Sequence, residues 1–211
     1  MTHRAEHFFT QEEKERIAKT AKEVEGRTIG EIVVMVVGSS EDYFDGEVIG
    51  SVLFGSLLAM VLTAIFFHSS MWFFIPLSFV FFFPFRFLLK KYPSLRTAFL
   101  GIKRTENAVR HRAIRAFHEK GLTRTREHTG VLFFISLLEH KVWVLADKGI
   151  HEKIGQETLN KFAAKVSSGV REGRACDALC EAIKEAGDLL TKHFPMKPGD
   201  IDELPNRVIT E

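Results

Sequence analysis

At 211 residues, with 27% charged residues and a formal net charge of +2, the chain is neither a low-complexity tract nor a strongly basic one. It has room for one ordinary domain plus an addition. Its two cysteines, Cys176 and Cys180, are too few for the disulfide framework of a small secreted protein and suit a reducing compartment. The averages hide the layout. Of 20 Phe residues, 11 lie between Phe54 and Phe87, where Arg86 is the sole residue of the four charged types. Residues 1–47 carry 6 basic and 11 acidic side chains, residues 90–130 carry 11 and 3, and residues 131–211 carry 11 and 13.

Residues 1–47 form the first part of the expected soluble domain. Thr10-Gln-Glu-Glu13 is a capping box that predicts a helix to about Glu25, with Ile17, Ala18, Ala21 and Val24 as its apolar face. After Gly26 and Gly30, Glu31-IVVMVV-Gly38 is a continuous β-branched run, the pattern of a strand covered on both faces. No apolar signal core occurs in this segment, so the first span is expected to serve as its own insertion signal.

Residues 48–68 and 71–89 are each long and apolar enough to cross a hydrocarbon core of roughly 30 Å at about 1.5 Å per residue. Only Ser69 and Ser70 separate them, which predicts an antiparallel transmembrane hairpin over residues 48–89. Pro76 and Pro84 are tolerable in a membrane helix whose neighbours satisfy the freed carbonyls. Ser51, Gly55, Ala59 and Thr63 recur every four residues, a small-residue stripe that permits close backbone approach. It could meet the second span, or a second copy through Ser51, Gly55 and Ala59.

The hairpin's distal turn has no Lys or Arg, whereas Lys90, Lys91, Arg96, Lys103 and Arg104 follow the second span. By the positive-inside rule the soluble domain and both termini are expected in the cytoplasm, at a cell inner (plasma) membrane. Those five cations are expected to contact anionic lipid heads, with Arg86 snorkelling to the same side. Aromatic stacking residues are sparse in this basic stretch, so a nucleic-acid partner is not expected. The hairpin also lacks a buried acidic relay, which argues against transport.

Residues 90–194 form the second part of the soluble domain. A basic helix is predicted over 104–120, with Ala108, Val109, Ala113, Ile114 and Phe117 inward, Arg110, Arg112, Arg115 and Lys120 outward, and Gly121 as its stop. Thr129-Gly130-VLFFISL-Leu138 is a second buried strand, turned at Glu139-His140-Lys141 into a hairpin partner, Val142 to Asp147. Helices over about 150–168 and 174–191 follow, and residues 195–211 read as an irregular Pro-rich tail. Each half is too small to bury its own apolar runs, so the first strand is expected beside the second across the membrane insertion. The fold class is α/β: a three- to four-stranded sheet sandwiched by helices and interrupted by the hairpin.

The opening FFTQEEKERIAKTAKEVE…GEIVVMVV, the hairpin TGVLFFISLLEHKVWVLADKGI and the ending HFPMKPGDIDELPNRVI together resemble the TPM domain family, also called the TPM phosphatase domain, in its bacterial membrane branch. The likeness covers residues 8–38 and 105–208. It implies an α/β/α sandwich, and acid phosphatase activity, divalent-cation (calcium) binding or accessory roles in assembling membrane complexes. Many members carry a signal peptide and a C-terminal anchor, whereas this chain places its spans inside the domain. The family often sets a Gly-rich turn near its cation site where Asp147-Lys148-Gly149 stands here. Asp147, with Glu31 and Glu139, could therefore form a carboxylate cluster for a hard cation, calcium or magnesium, although Glu139 belongs to the other end of the strand. Alternatively, Asp147 caps the following helix and the glutamates are solvated.

His111, His118, His128, His140 and His151 match no zinc spacing, and no HExxH, Gly-rich phosphate loop or GxSxG is present. Cys176 and Cys180 read as small core residues. The functional expectation is a membrane-tethered interaction or assembly module with an unknown protein partner, open to modulation by a divalent cation. The alternative is a membrane-bound phosphatase acting on phosphomonoesters.

Overall fold

A computed structural model describes residues 5–66, 71–92, 95, 102–125, 127–196 and 207–211. Its elements in chain order are α1 (Gln11–Glu25), β1 (Glu31–Val37), α2 (Phe44–Phe66), α3 (Met71–Lys91), α4 (Ile102–Glu119), a 3₁₀ turn (Leu122–Arg124), β2 (Gly130–Ser136), β3 (Lys141–Ala146), α5 (Lys148–Ile154), α6 (Gln156–Arg171), α7 (Ala175–His193) and β4 (Ile209–Thr210). The chain divides into two compact units, residues 1–40 with 107–211, and residues 41–106.

In the first unit the strands lie in the order β3-β2-β1-β4. β1 runs parallel to β2, with Glu31 opposite Gly130 and Val37 opposite Ser136, so the sheet closes across the insertion. β2 and β3 are the antiparallel hairpin. Every residue of β1 and β2 is buried, because helices cover both faces. One face, with Val34, Val36, Phe133 and Ile135, packs on Ile17 and Val24 of α1, Leu159 and Val166 of α6 and Leu179 and Ile183 of α7. The other, with Val33, Met35, Leu132 and Phe134, packs on Val109, Ala113, Ala116 and Phe117 of α4. Two apolar faces on one strand require an unbroken apolar run, and the sequence supplies it in both strands.

α1 begins at the capping box: Thr10 Oγ1 accepts from the Glu13 amide at 3.2 Å, and the Thr10 amide donates to the Glu13 carboxylate at 2.8 Å. Cys176 and Cys180 are free thiols buried in the first core, and burial pushes the Cys176 thiol up to about 12, with Cys180 beside it adding to the shift.

Four expectations are corrected. The helix predicted over about 150–168 is two helices, α5 and α6, broken at Gly155, whose φ of 75° and ψ of 157° lie where side-chain-bearing residues are strained. On α4, Ile114 faces out and Ala116 faces in, because the stripe that meets the sheet runs Val109, Ala113, Ala116, Phe117. Arg112, expected outside, is largely covered and pairs with Glu119 at 3.2 Å and with Glu211. The tail, read as irregular, ends in β4, where Ile209 lies opposite Met35 and Thr210 opposite Val36 on the outer edge of β1.

Glu211 anchors that last strand. Its amide donates to the Val36 carbonyl at 3.0 Å and its carbonyl accepts from Gly38 at 2.8 Å. The Lys120 ammonium, 2.8 Å away, holds its carboxyl below the usual glutamate range; partial burial opposes this and Arg112 adds to it. A carboxyl depressed on folding stabilises the docked strand above the ordinary glutamate range and loses that contribution as the pH falls through the lowered value. The Gly38 amide is accordingly expected to lose protection against hydrogen exchange between pH 7 and about pH 3. Glu211→Gln should remove most of that dependence; an unchanged dependence would show that this carboxyl does not hold the strand.

The second unit is the hairpin. α2 and α3 are both long and apolar enough to cross a membrane, and α2 begins at Phe44, four residues before the expected start. Ser51, Gly55, Ala59 and Thr63 are all buried within the pair. At Gly55 an added Cβ would lie 3.2 Å from the Phe82 amide nitrogen and 3.3 Å from the Phe81 carbonyl carbon, so the absent side chain lets the two backbones touch. The stripe expected to serve either the second span or a second copy is thus filled by α3. Ser51, Gly55 and Ala59 are open to another copy only if the hairpin parts.

Candidate functional site

The N-terminal end of the sheet gathers two of the three expected cation ligands. Glu31 pairs in register with Gly130, and the Asp147 amide donates to the Gly130 carbonyl at 2.9 Å. Asp147 is the N-cap of α5: its Oδ1 accepts from the Lys148 amide at 2.7 Å, and its Oδ2 lies 3.0 Å from His128 Nδ1. Both carboxylate oxygens therefore have structural partners, the capping role that the sequence offered as the alternative.

Glu139 does not join them. It lies at the other end of β2, roughly 20 Å away at about 3.3 Å per strand residue. There its carboxylate accepts from the Ser40 amide at 2.9 Å, from Ser39 Oγ at 3.4 Å and from Ser136 Oγ, and Ser136 and Ser40 share a 2.8 Å hydroxyl contact. A strand's length between ligands is incompatible with one cation coordinated at 2.3–2.6 Å. Among the described residues no group of three or more His, Cys, Asp or Glu side chains is gathered as a metal would need.

Of the cations expected at the membrane surface, Lys90 and Lys103 are exposed, Lys91 lies 6.0 Å from the Tyr92 ring, and Arg104 pairs with Asp45 at 2.6 Å. Arg96 lies outside the described residues. Arg86 binds the buried Glu47 at 3.0 Å and sits 5.5 Å above the Phe44 ring, so both charges close the same end of the hairpin.

A cleft of about 880 Å³ opens at the C-terminal end of β2. This is within the range of small-molecule sites. It is also the end of a parallel strand pair at which α/β sheets bind ligands. Phe8, Ile135, Leu137, Val142 and Val170 give it an apolar floor, and Ser136, Ser167, His7, His140, Lys141 and Arg171 give it polar edges. No carboxylate is among the lining residues. His140 adopts φ 51° in the β2–β3 turn and lines the cleft together with Lys141, while Ser167 and Arg171, four apart, share one face of α6. Sequence reasoning missed this site. Four separate segments supply it, and the one local signal was His140, read there as a turn residue and as a histidine without a zinc partner.

No curated protein matches the chain. The NMR structure of the BA42 protein from the psychrophilic bacterium Bizionia argentinensis matches it with a TM-score of 0.60 at 21% identity, over 96% of this chain and 94% of that one, a likeness that shows the fold. The model of the TPM domain family matches residues 89–189, from the end of α3 through most of α7. Residues 89–189 thus match a TPM domain, and the parallel β1–β2 pair, the β2–β3 hairpin and the helices on both faces of the sheet make up the α/β fold in which they sit.

Proposed function

We propose that the chain is a membrane-tethered binding module, in which the hairpin anchors a TPM domain at the cytoplasmic face of the inner membrane and the cleft serves recognition. The observation that carries this reading is the surface of α3: only 6% of its most apolar 18-residue window is buried, with Phe73, Ile75, Phe79, Val80 and Phe83 all exposed. A core helix of a soluble protein would be covered, and an apolar surface of this extent in water would drive association. Lys90 and Lys91 in the last turn of α3, with Lys103 and Arg104 beyond it, support the cytoplasmic orientation.

The test is an alkaline carbonate wash of membranes holding the full chain, with a protease-accessible tag at its end. Retention in the pellet, with the tag cleaved only after the cell is opened, supports the reading. Release into the supernatant overturns it. A second reading, phosphomonoester hydrolysis, draws support from the cations around the cleft; turnover of p-nitrophenyl phosphate by the full chain, abolished by chelation, would put it ahead. Modulation by calcium or magnesium would have to work through Asp147 and Glu31. It would show as a rise in melting temperature at millimolar cation, lost in Asp147→Asn.

A further inference from the structure

The cleft combines two features that select a ligand class. Its floor, formed by Ile135, Val142 and Val170 among others, is apolar, so a fully hydrated small ion would leave most of it unfilled. Its edge is cationic and donor-rich, and Arg171 makes no ion pair among the described residues. Ser167 lies one turn before it on the same face of α6. Across the cleft, His140 and Lys141 present further donors from the turn and the start of β3. Ser136 is committed to Glu139 and Ser40, which leaves Ser167 as the hydroxyl at this edge.

We propose that this cleft binds an organic anion with an apolar body, its phosphate or carboxylate held between Arg171 with Ser167 and the His140–Lys141 turn, and its hydrocarbon or ring on the Ile135–Val142–Val170 floor. The planar guanidinium can meet two anionic oxygens at once, and the serine hydroxyl can donate to a third. The apolar body supplies burial that inorganic phosphate lacks. Arg171 also stands in the last turn of α6, where a cation complements the helix dipole. That role predicts a change in melting temperature on removing the charge and no change in binding.

The inference names the ligand of the module proposed above, and it stands or falls separately from the tether, which the carbonate wash reports. The experiment is titration calorimetry on the full chain in nanodiscs of uncharged lipid, with phenyl phosphate and benzoate as probes. Benzyl alcohol and inorganic phosphate are the comparison ligands, and empty discs the blank. At least one anionic aromatic probe should bind ten-fold or more tightly than either comparison ligand. Arg171→Gln and Ser167→Asp, both at the edge, should each weaken it ten-fold or more, a loss of binding separate from the small fall in melting temperature expected from the changed charge at the end of α6. Equal binding of benzyl alcohol would remove the anion from the proposal, and equal binding of inorganic phosphate would remove the apolar body. Binding untouched by both variants, or absent at millimolar probe, would overturn the site.

Discussion

Phe133→Ala should lower the stability of the TPM unit by about 3–5 kcal/mol, the cost of deleting a large core side chain whose neighbours cannot close the gap. Phe133 is 0% exposed at the middle of β2, opposite Val34 on one side and Val144 on the other. It belongs to the face packed by α1, α6 and α7. A rigid three-element ceiling collapses poorly, which places the expected loss toward the upper part of the range. At about 2–4 °C per kcal/mol for domains of 150–250 residues, the melting temperature of the full chain in nanodiscs should fall by roughly 6–20 °C. The signal should be followed by circular dichroism at a wavelength where the hairpin's constant helicity can be subtracted. A fall below about 3 °C would mean that β2 is not the centre of the core.

Phe79→Lys tests the hairpin with an effect of similar size and opposite diagnostic value in water and in lipid. Phe79 stands mid-way along α3 and is 66% exposed. In a bilayer the exchange replaces a favourable aromatic by a cation costing about 2.5–3.5 kcal/mol near the centre, a net of about 3–4 kcal/mol. That corresponds to roughly a hundred- to thousand-fold bias against insertion of this span, reduced where the lysine reaches the interface. A glycosylation acceptor placed in the turn between the spans would report the inserted fraction. If the same face met water, the substitution would remove an exposed ring and increase solubility, with no loss of membrane retention to measure. A soluble, well-expressed Phe79→Lys chain whose parent is also soluble would therefore end the membrane reading.

On the proposed tether the two substitutions act in solvents of different kind, and the sequence carries an apolar pattern suited to each. In the TPM unit, burial must be earned by packing two faces of a sheet. In the hairpin, an apolar surface needs no covering if the surroundings are lipid, which fits an α3 that buries only Leu89 and an α2 whose buried positions are its small-residue stripe together with Gly46, Glu47 and Gly50. The ion pair of Glu47 with Arg86 fits the same logic, since an acid that is 5% exposed at one end of so apolar a pair requires a partner.

Much of this was determined by the sequence alone, wherever the physics is local or all-or-none. A capping box fixes its own helix start, as at Thr10, because donor and acceptor are three residues apart. An unbroken β-branched run such as IVVMVV can satisfy only a strand covered on both sides, and two spans of some twenty apolar residues joined by two serines can only fold back on each other. Only the tertiary structure decided what depended on distant groups. Gly155 broke a helix that periodicity would have continued, and Ala116 displaced Ile114 from the inner face once the sheet's position was set. The stripe of α2 met α3, one of the two partners its spacing allowed, and β4 docks where Lys120 and Arg112, 91 and 99 residues upstream, hold Glu211. The expected trio of Asp147, Glu31 and Glu139 came apart because a parallel strand separates its ends by its full length, whereas the cleft came together from four segments that share no motif. Hydrogen bonds and apolar periodicity are written along the chain; which surfaces meet is settled only when sheet, helices and turns compete for the same volume.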